Sequence, residues 1–274
     1  MITAEAIQAL QKSAAIEAAN EEIVVRGMAA LPNDFQLHDL ERHLDTRRRA
    51  RGTFATPFIE SFCTYAKAHA ELGATVFVDP RNIGATAILN MGTPLEPGQT
   101  DNQAALVLSK TAPYQALTTI ANGHGNTQRN VAEFLEDWQH LLQCFAEDAE
   151  VKPHQAIQAV RRITIESLHK LESEEKSLSA TRSALESVTA SSREPIPTLI
   201  YFRCKPFAEL GERTFVLRLG VLTGDKAPAI SLRIVKPEEH AEAMCEELAT
   251  KLRDGLAGDQ PLPIVVGTYQ ANKN

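Results

Sequence analysis

Apolar residues first recur at helical spacing, with Ile7, Leu10, Ala14 and Ala18 forming a narrow stripe in an Ala-, Glu- and Gln-rich segment. That pattern predicts a helix from Ile2 to Val25 that stops near Gly27. So narrow a stripe suits either a peripheral helix packed on its own domain or a partner-facing one. A second helix is predicted over Thr56 to Leu72, with Pro57 in its first turn, Phe58, Ile59, Phe62, Tyr65 and Ala66 on its buried face, and Gly73 closing it.

The period then shortens toward two. Thr75 to Val78, Ala85 to Asn90 and Ala104 to Ser109 have β character and are separated by the turn-rich Asp79-Pro-Arg-Asn and Gly92-Thr-Pro-Leu-Glu-Pro-Gly. They read as an antiparallel meander. Helical periodicity returns in Pro113 to Ala121 and Gln128 to Ala146. In the latter, Val131, Phe134, Leu135, Trp138, Leu141, Leu142 and Phe145 form a broad apolar face expected to cover the meander.

Val151 to Ala190 supports two readings. Leu171, Leu178 and Leu185 fall seven apart, but Glu175 and Arg182 occupy the other seam positions of that heptad. The alternative, which the pattern favours, takes Arg162-Ile-Thr-Ile-Glu as a strand, Glu172 to Lys176 as an exposed connection, and Ser179 to Thr189 as a strand or short helix. After a loop at Ala190 to Pro197, strands are predicted at Leu199 to Cys204, Thr214 to Leu222 and Ala229 to Val235. Phe215, Leu217 and Leu219 face one side of the middle strand. A helix opened by Pro237, Glu238 and Glu239 is predicted to run through Leu256, since proline and carboxylates suit a first turn. A short run, Ile264 to Val266, precedes a polar tail.

This order is not the regular βαβ alternation of a parallel nucleotide-binding sheet. It predicts an α+β fold of antiparallel sheets with helices packed on one face. The strands fall in two halves, residues 1–150 and 151–274, or in one continuous domain. With 274 residues and 43% apolar content the chain can sustain a core. Aromatic residues make up only 5%, so that core is expected to be aliphatic.

Charge narrows the function. A net charge of −7 argues against nucleic-acid binding by the overall field and leaves that role to a local basic patch. No stretch approaches the roughly 18 to 20 apolar residues of a membrane span, and Met1 to Gln11 lacks signal-peptide character. The expectation is a cytoplasmic protein without membrane association. Cys63, Cys144, Cys204 and Cys245 show no CxxC pair or structural-zinc spacing and are expected as reduced thiols.

The sharpest local signal is Arg47-Arg-Arg-Ala-Arg51 followed by Gly52 and Thr53. The guanidiniums of Arg47, Arg48, Arg49 and Arg51 could grip phosphate or carboxylate oxygens, or form a solvated turn balanced by Glu41, Asp45 and Glu60. Gly123-His-Gly-Asn126 resembles a phosphate-cradling loop but lacks a P-loop lysine, and reads better as a helix entry capped by Asn126 or Thr127. Asp137 with His140, and Glu166 with His169, share the carboxylate-x-x-histidine spacing of di-metal bundles. Exposed helix polarity explains Asp137 and His140 more simply. No HExxH, GxSxG, Walker A or EF-hand pattern occurs. No cofactor and no metal are expected.

Several collinear segments carry a family resemblance. Leu31-Pro-Asn-Asp-Phe with Asp39-Leu-Glu, Arg51-Gly-Thr-Phe, Val76-Phe-Val-Asp, Ala87-Ile-Leu-Asn and Ala132-Glu-Phe-Leu-Glu-Asp-Trp138 resemble the YfdQ-like family of phage and prophage proteins. Pro97-Gly with Asp101, Pro206 with Phe207, Phe215 with Arg218-Leu, and Leu232-Arg233 extend it over most of the chain. The resemblance brings no catalytic residues and implies an accessory role early in phage infection. The leading expectation is a non-enzymatic protein binding DNA, a nucleotide or a host or phage protein, with homo-oligomers permitted. Two alternatives remain: a counter-defence inhibitor that sequesters a nucleotide signal or blocks a host nuclease, and a metal-dependent hydrolase or nuclease.

Overall fold

The computed structural model describes residues 3–26, 41–123, 126–146, 149–163, 196–222 and 229–270. The chain divides into two compact units, Met1–Ala50 and Arg51–Asn274. In the first, α1 (Ala4–Arg26) forms where the stripe predicted it. Its Ile7 and Leu10 are 47% and 65% exposed. A short 3-10 turn follows at Glu41–His43.

The second unit begins with β1 (Gly52–Thr56) and α2 (Ile59–His69), then forms β2 (Thr75–Asp79), β3 (Gly84–Ile88) and β4 (Asn102–Val107). The predicted meander is present, with β2, β3 and β4 paired antiparallel in sequence order. The helix before it is shorter than expected. Thr56 pairs with Leu106 as the last residue of β1, so Phe58 sits at the helix N-cap and is 57% exposed instead of lining the buried face.

After α3 (Ala112–Asn122) come β5 (Asn126–Thr127), α4 (Gln128–Asp137), β6 (Leu142–Ala146), β7 (Ala149–Val151) and α5 (Pro153–Arg161). The helix predicted over Gln128 to Ala146 therefore ends at Asp137. Leu142 and Cys144 point inward with Gln143 exposed between them, and this period of two sets the segment beside a neighbouring strand. A run such as Leu141-Leu-Gln-Cys-Phe fits either period until a pairing partner selects one. Arg162 caps α5 and Ile163 follows it outside any strand, so the strand expected from Arg162 does not form at those two positions. The rest of that predicted region, including Leu171, Leu178 and Leu185, lies outside the described residues.

The later elements match their predictions: β8 (Leu199–Cys204), β9 (Arg213–Leu222), β10 (Ala229–Ile234), α6 (Pro237–Leu256) and β11 (Ile264–Val266). Among the described residues there are two sheets. One runs β1-β4-β3-β2-β11 and the other β5-β10-β9-β8-β6-β7. The second is wholly antiparallel, whereas the first carries a parallel strand on each edge, β1 beside β4 and β11 beside β2. The fold is α+β. Residue 150 lies inside β7, the second sheet takes β5 and β6 from before it, and the first takes β11 from after it.

Each sheet has its own helical layer. Phe62 and Ala66 of α2 and Met244, Leu248 and Leu252 of α6 pack on Val76, Val78, Ala87, Ala104 and Leu106 of the first sheet. Leu117 of α3, Val131 and Leu135 of α4, and Ile157 and Val160 of α5 pack on Ile200, Phe202, Phe215 and Leu217 of the second. Thus α3 and α4 cover the second sheet and not the meander, because their broad apolar faces meet strands formed farther along the chain. Among the described residues, the largest fully buried side chains are Leu and Ile apart from Phe62, Phe202 and Phe215, as the low aromatic content predicts. Tyr114 packs against both cores, its ring 5.7 Å from Phe207 and 5.2 Å from Phe215.

Candidate functional site

The arginine segment lies where the two units meet in sequence, with Arg47, Arg48 and Arg49 in the first and Arg51 opening the second. Arg47, Arg48 and Arg51 are exposed, and Arg49 is half-buried. The Arg48 backbone N–H donates to Glu41 Oε1 at 3.1 Å, so the 3-10 turn holds this stretch of backbone. Glu41 is one of the acidic residues expected to balance the cluster.

The other sequence candidates prove to be structural within the described residues. Thr127 caps α4, its Oγ1 accepting the Asn130 N–H at 3.2 Å. Asn126 Nδ2 donates to the carbonyls of Ile120 at 2.7 Å and Gly123 at 3.1 Å, tying β5 to the end of α3. His124 and Gly125 of that turn lie outside the described residues, as do Glu166 and His169. Asp137 ends α4 and His140 sits in the following 3-10 turn, so the two do not share one helical face and both are exposed. No group of three or more His, Cys, Asp and Glu side chains comes together among the described residues in a way that could hold a metal ion.

The four cysteines are buried free thiols. Burial raises all four above the ordinary thiol value, pushing Cys144 up to about 11 and Cys204 to about 12, the latter helped by the nearby Glu212 carboxylate. At Cys63 the Lys67 ammonium works in the opposite direction to burial.

Cys63 belongs to a feature that no sequence motif marks. An open cleft of about 420 Å³ lies between α2 and α6, lined by Ile59, Glu60, Cys63, Thr64 and Lys67 on one wall. Lys251, Asp254 and Gly255 form the other wall, and Glu209 reaches in from the loop before β9. Ile59, Cys63 and Lys67 recur every four residues, as do Glu60 and Thr64, which places all five on one helical face. Gly255 lets α6 approach α2 closely beside the cleft: a Cβ there would lie 2.7 Å from Cys63 Sγ.

Glu209 fixes the two walls. Its Oε2 accepts the Ile59 N–H at 3.2 Å, supplying the cap that Phe58 cannot, and its backbone carbonyl accepts from Lys251 Nζ at 2.8 Å. One turn earlier on α6, Glu247 accepts from the Gly211 N–H at 2.7 Å and from Arg213 Nη2 at 2.6 Å. Arg213 Nη2 also donates to the Ala243 carbonyl at 3.0 Å. Burial works to raise the Glu247 carboxyl, but the Gly211 N–H, Arg213 and Lys251 outweigh it and hold that group below the ordinary carboxylate range. The loop from Pro206 to Gly211 is thus tied to both helices, while Phe207 and Leu210 plug the core beneath it. The only advance signal was the polar trio Thr64, Lys67 and Glu60 beside a cysteine on one helical face.

This is therefore a protein of mixed α+β architecture with two separately covered sheets, an exposed arginine segment and a charged cleft between two helices. The chain belongs to the uncharacterized conserved protein family DUF2303, whose family model matches residues 1–269. No curated protein and no solved structure matches it. Among the described residues, no helix is long and apolar enough to cross a membrane.

Proposed function

We propose that this is a non-enzymatic accessory protein of phage or prophage, acting early in infection by binding the phosphates of DNA or of a nucleotide through the segment Arg47 to Arg51. The observation that carries the reading is the solvent exposure of the Arg47 and Arg48 side chains on a backbone pinned to Glu41. A chain with a net charge of −7 offers no general attraction to a polyanion, so binding depends on guanidiniums grouped in one place. Guanidinium forks match phosphate oxygens bidentately, and pinned backbone lowers the ordering cost of binding. The resemblance to YfdQ-like proteins supplies the phage context.

The test is binding of a short duplex oligonucleotide and of a nucleoside triphosphate over a series of salt concentrations. Changing Arg47, Arg48, Arg49 and Arg51 together to alanine is expected to weaken binding. For duplex DNA it should also flatten the log–log salt slope by as much as about 3.6, which is about 0.9 for each phosphate no longer neutralised. Unchanged affinity and slope would remove the segment from the site. Capture of a host or phage protein from infected cells that survives nuclease treatment, with no binding of either probe, would replace the nucleic-acid reading with a protein partner.

A further inference from the structure

The cleft between α2 and α6 contains charge that the fold does not use. Lys251 and Glu209 are engaged in holding the walls. Lys67, Glu60 and Asp254 face the same space, yet among the described residues Lys67 forms an ion pair with neither carboxylate. An ammonium and two carboxylates therefore line one volume without pairing with one another. The floor between them is apolar at Ile59 and at the buried Cys63 thiol.

A ligand that satisfies this arrangement carries the complementary pair of charges and a short apolar body. A simple anion would meet Lys67 but face two carboxylates, and a simple cation would meet the carboxylates but face Lys67. Like-charge juxtaposition penalises each of them, while a zwitterion pairs with both signs at once. A volume of about 420 Å³ accommodates a free amino acid. The walls are also set beforehand, since Glu209 bonds to α2 and α6 independently of any ligand.

We propose that this cleft is a binding site for a small zwitterion, a free aliphatic α-amino acid. Its carboxylate is held by Lys67, its ammonium by Asp254 and Glu60, and its side chain lies against Ile59 and Cys63. Thr64 supplies a hydroxyl beside the carboxylate position. The site lies in the unit Arg51–Asn274 and is separate from the phosphate-binding reading of the arginine segment.

The test is calorimetric titration of the full chain with three probes of the same shape: L-leucine, L-leucinamide, which lacks the carboxylate, and 4-methylpentanoate, which lacks the amine. L-leucine is expected to bind, and each analogue at least about tenfold more weakly for want of one charge-assisted hydrogen bond. Lys67→Met should bring L-leucine down to the affinity of L-leucinamide, Asp254→Asn down toward 4-methylpentanoate, and Lys67→Arg should restore binding. In parallel, L-leucine should slow alkylation of Cys63, read by peptide mass spectrometry, and leave Cys144 unchanged. Equal thermal midpoints of the variants show that their folds are intact, since Lys67 and Asp254 are exposed. No saturable L-leucine binding, equal binding of the three probes, or indifference to Lys67→Met would each overturn the proposal. None of these outcomes bears on oligonucleotide binding by Arg47 to Arg51.

Discussion

Replacing Glu247 by glutamine isolates the ion pair that ties α6 to the turn leading into β9. The side chains of Arg213 and Glu247 are 19% and 25% exposed, with their charged atoms 2.6 Å apart. Arg213 Nε is already buried without a hydrogen-bond partner, so the guanidinium depends on Glu247 and on the Ala243 carbonyl. Breaking a fully buried pair costs about 3 to 5 kcal/mol; with a quarter of this carboxylate solvated, about 2 to 3 kcal/mol is expected at neutral pH. The loss should depend on pH. Glu247 titrates below its unfolded value, so its stabilisation is complete above about pH 4.3 and is lost as pH falls through the folded value. The gap between wild type and Glu247→Gln in urea unfolding should therefore persist near pH 5 and shrink progressively as pH falls below the unfolded carboxylate value and through the lower folded one.

Unfolding would be followed by circular dichroism and by the fluorescence of Trp138, the single tryptophan, whose coincidence also tests for one cooperative transition. Arg213→Met completes a double-mutant cycle, in which the coupling should reach about 1.5 kcal/mol or more. A loss independent of pH, or single-variant losses that add within about 0.5 kcal/mol, would refute the argument that the pair acts as a unit.

Two further predictions rest on other features. Gly73→Ala should lower stability by about 3 kcal/mol, read as a fall in thermal midpoint, because it combines left-handed strain with a backbone clash. Gly73 has φ of +77°, and an added Cβ would lie 1.8 Å from the Gly92 carbonyl oxygen, while the Gly92 N–H is itself held by the Leu72 carbonyl at 3.0 Å. A change under about 0.5 kcal/mol would show that the turn relaxes. Cys144 and Cys204, pushed up to about 11 and about 12, should resist iodoacetamide at pH 8 until urea unfolds the chain, since well under about 1% of either is thiolate there. Rapid labelling of either in the folded protein would contradict the burial on which those values rest.

Where neighbouring residues carried the information, the fold was legible. The hairpins of β2, β3 and β4 follow from alternating apolar positions separated by turn residues, and α6 follows from Pro237 and two glutamates ahead of a periodic stretch. Leu142 to Ala146 reads as helix in the sequence because an apolar run continuing a helix looks like one beginning a strand until β8 supplies Phe202 and Ile200 as partners. The same limit applies to the sites. Arg47 to Arg51 is contiguous and stands out, whereas the cleft joins residues nearly two hundred positions apart in the chain and does not.

By itself the sequence determined an aliphatic core, an α+β class, the local hairpins and caps, and a concentration of positive charge on an acidic chain. Those properties depend on side-chain volume, period and composition, which are set residue by residue. Tertiary structure decided the parallel edge strands β1 and β11, the sheet that each helix covers, and the pairing of α2 with α6 around Lys67 and Asp254. Such choices depend on which apolar faces bury one another most completely, a comparison among distant segments that no local pattern encodes.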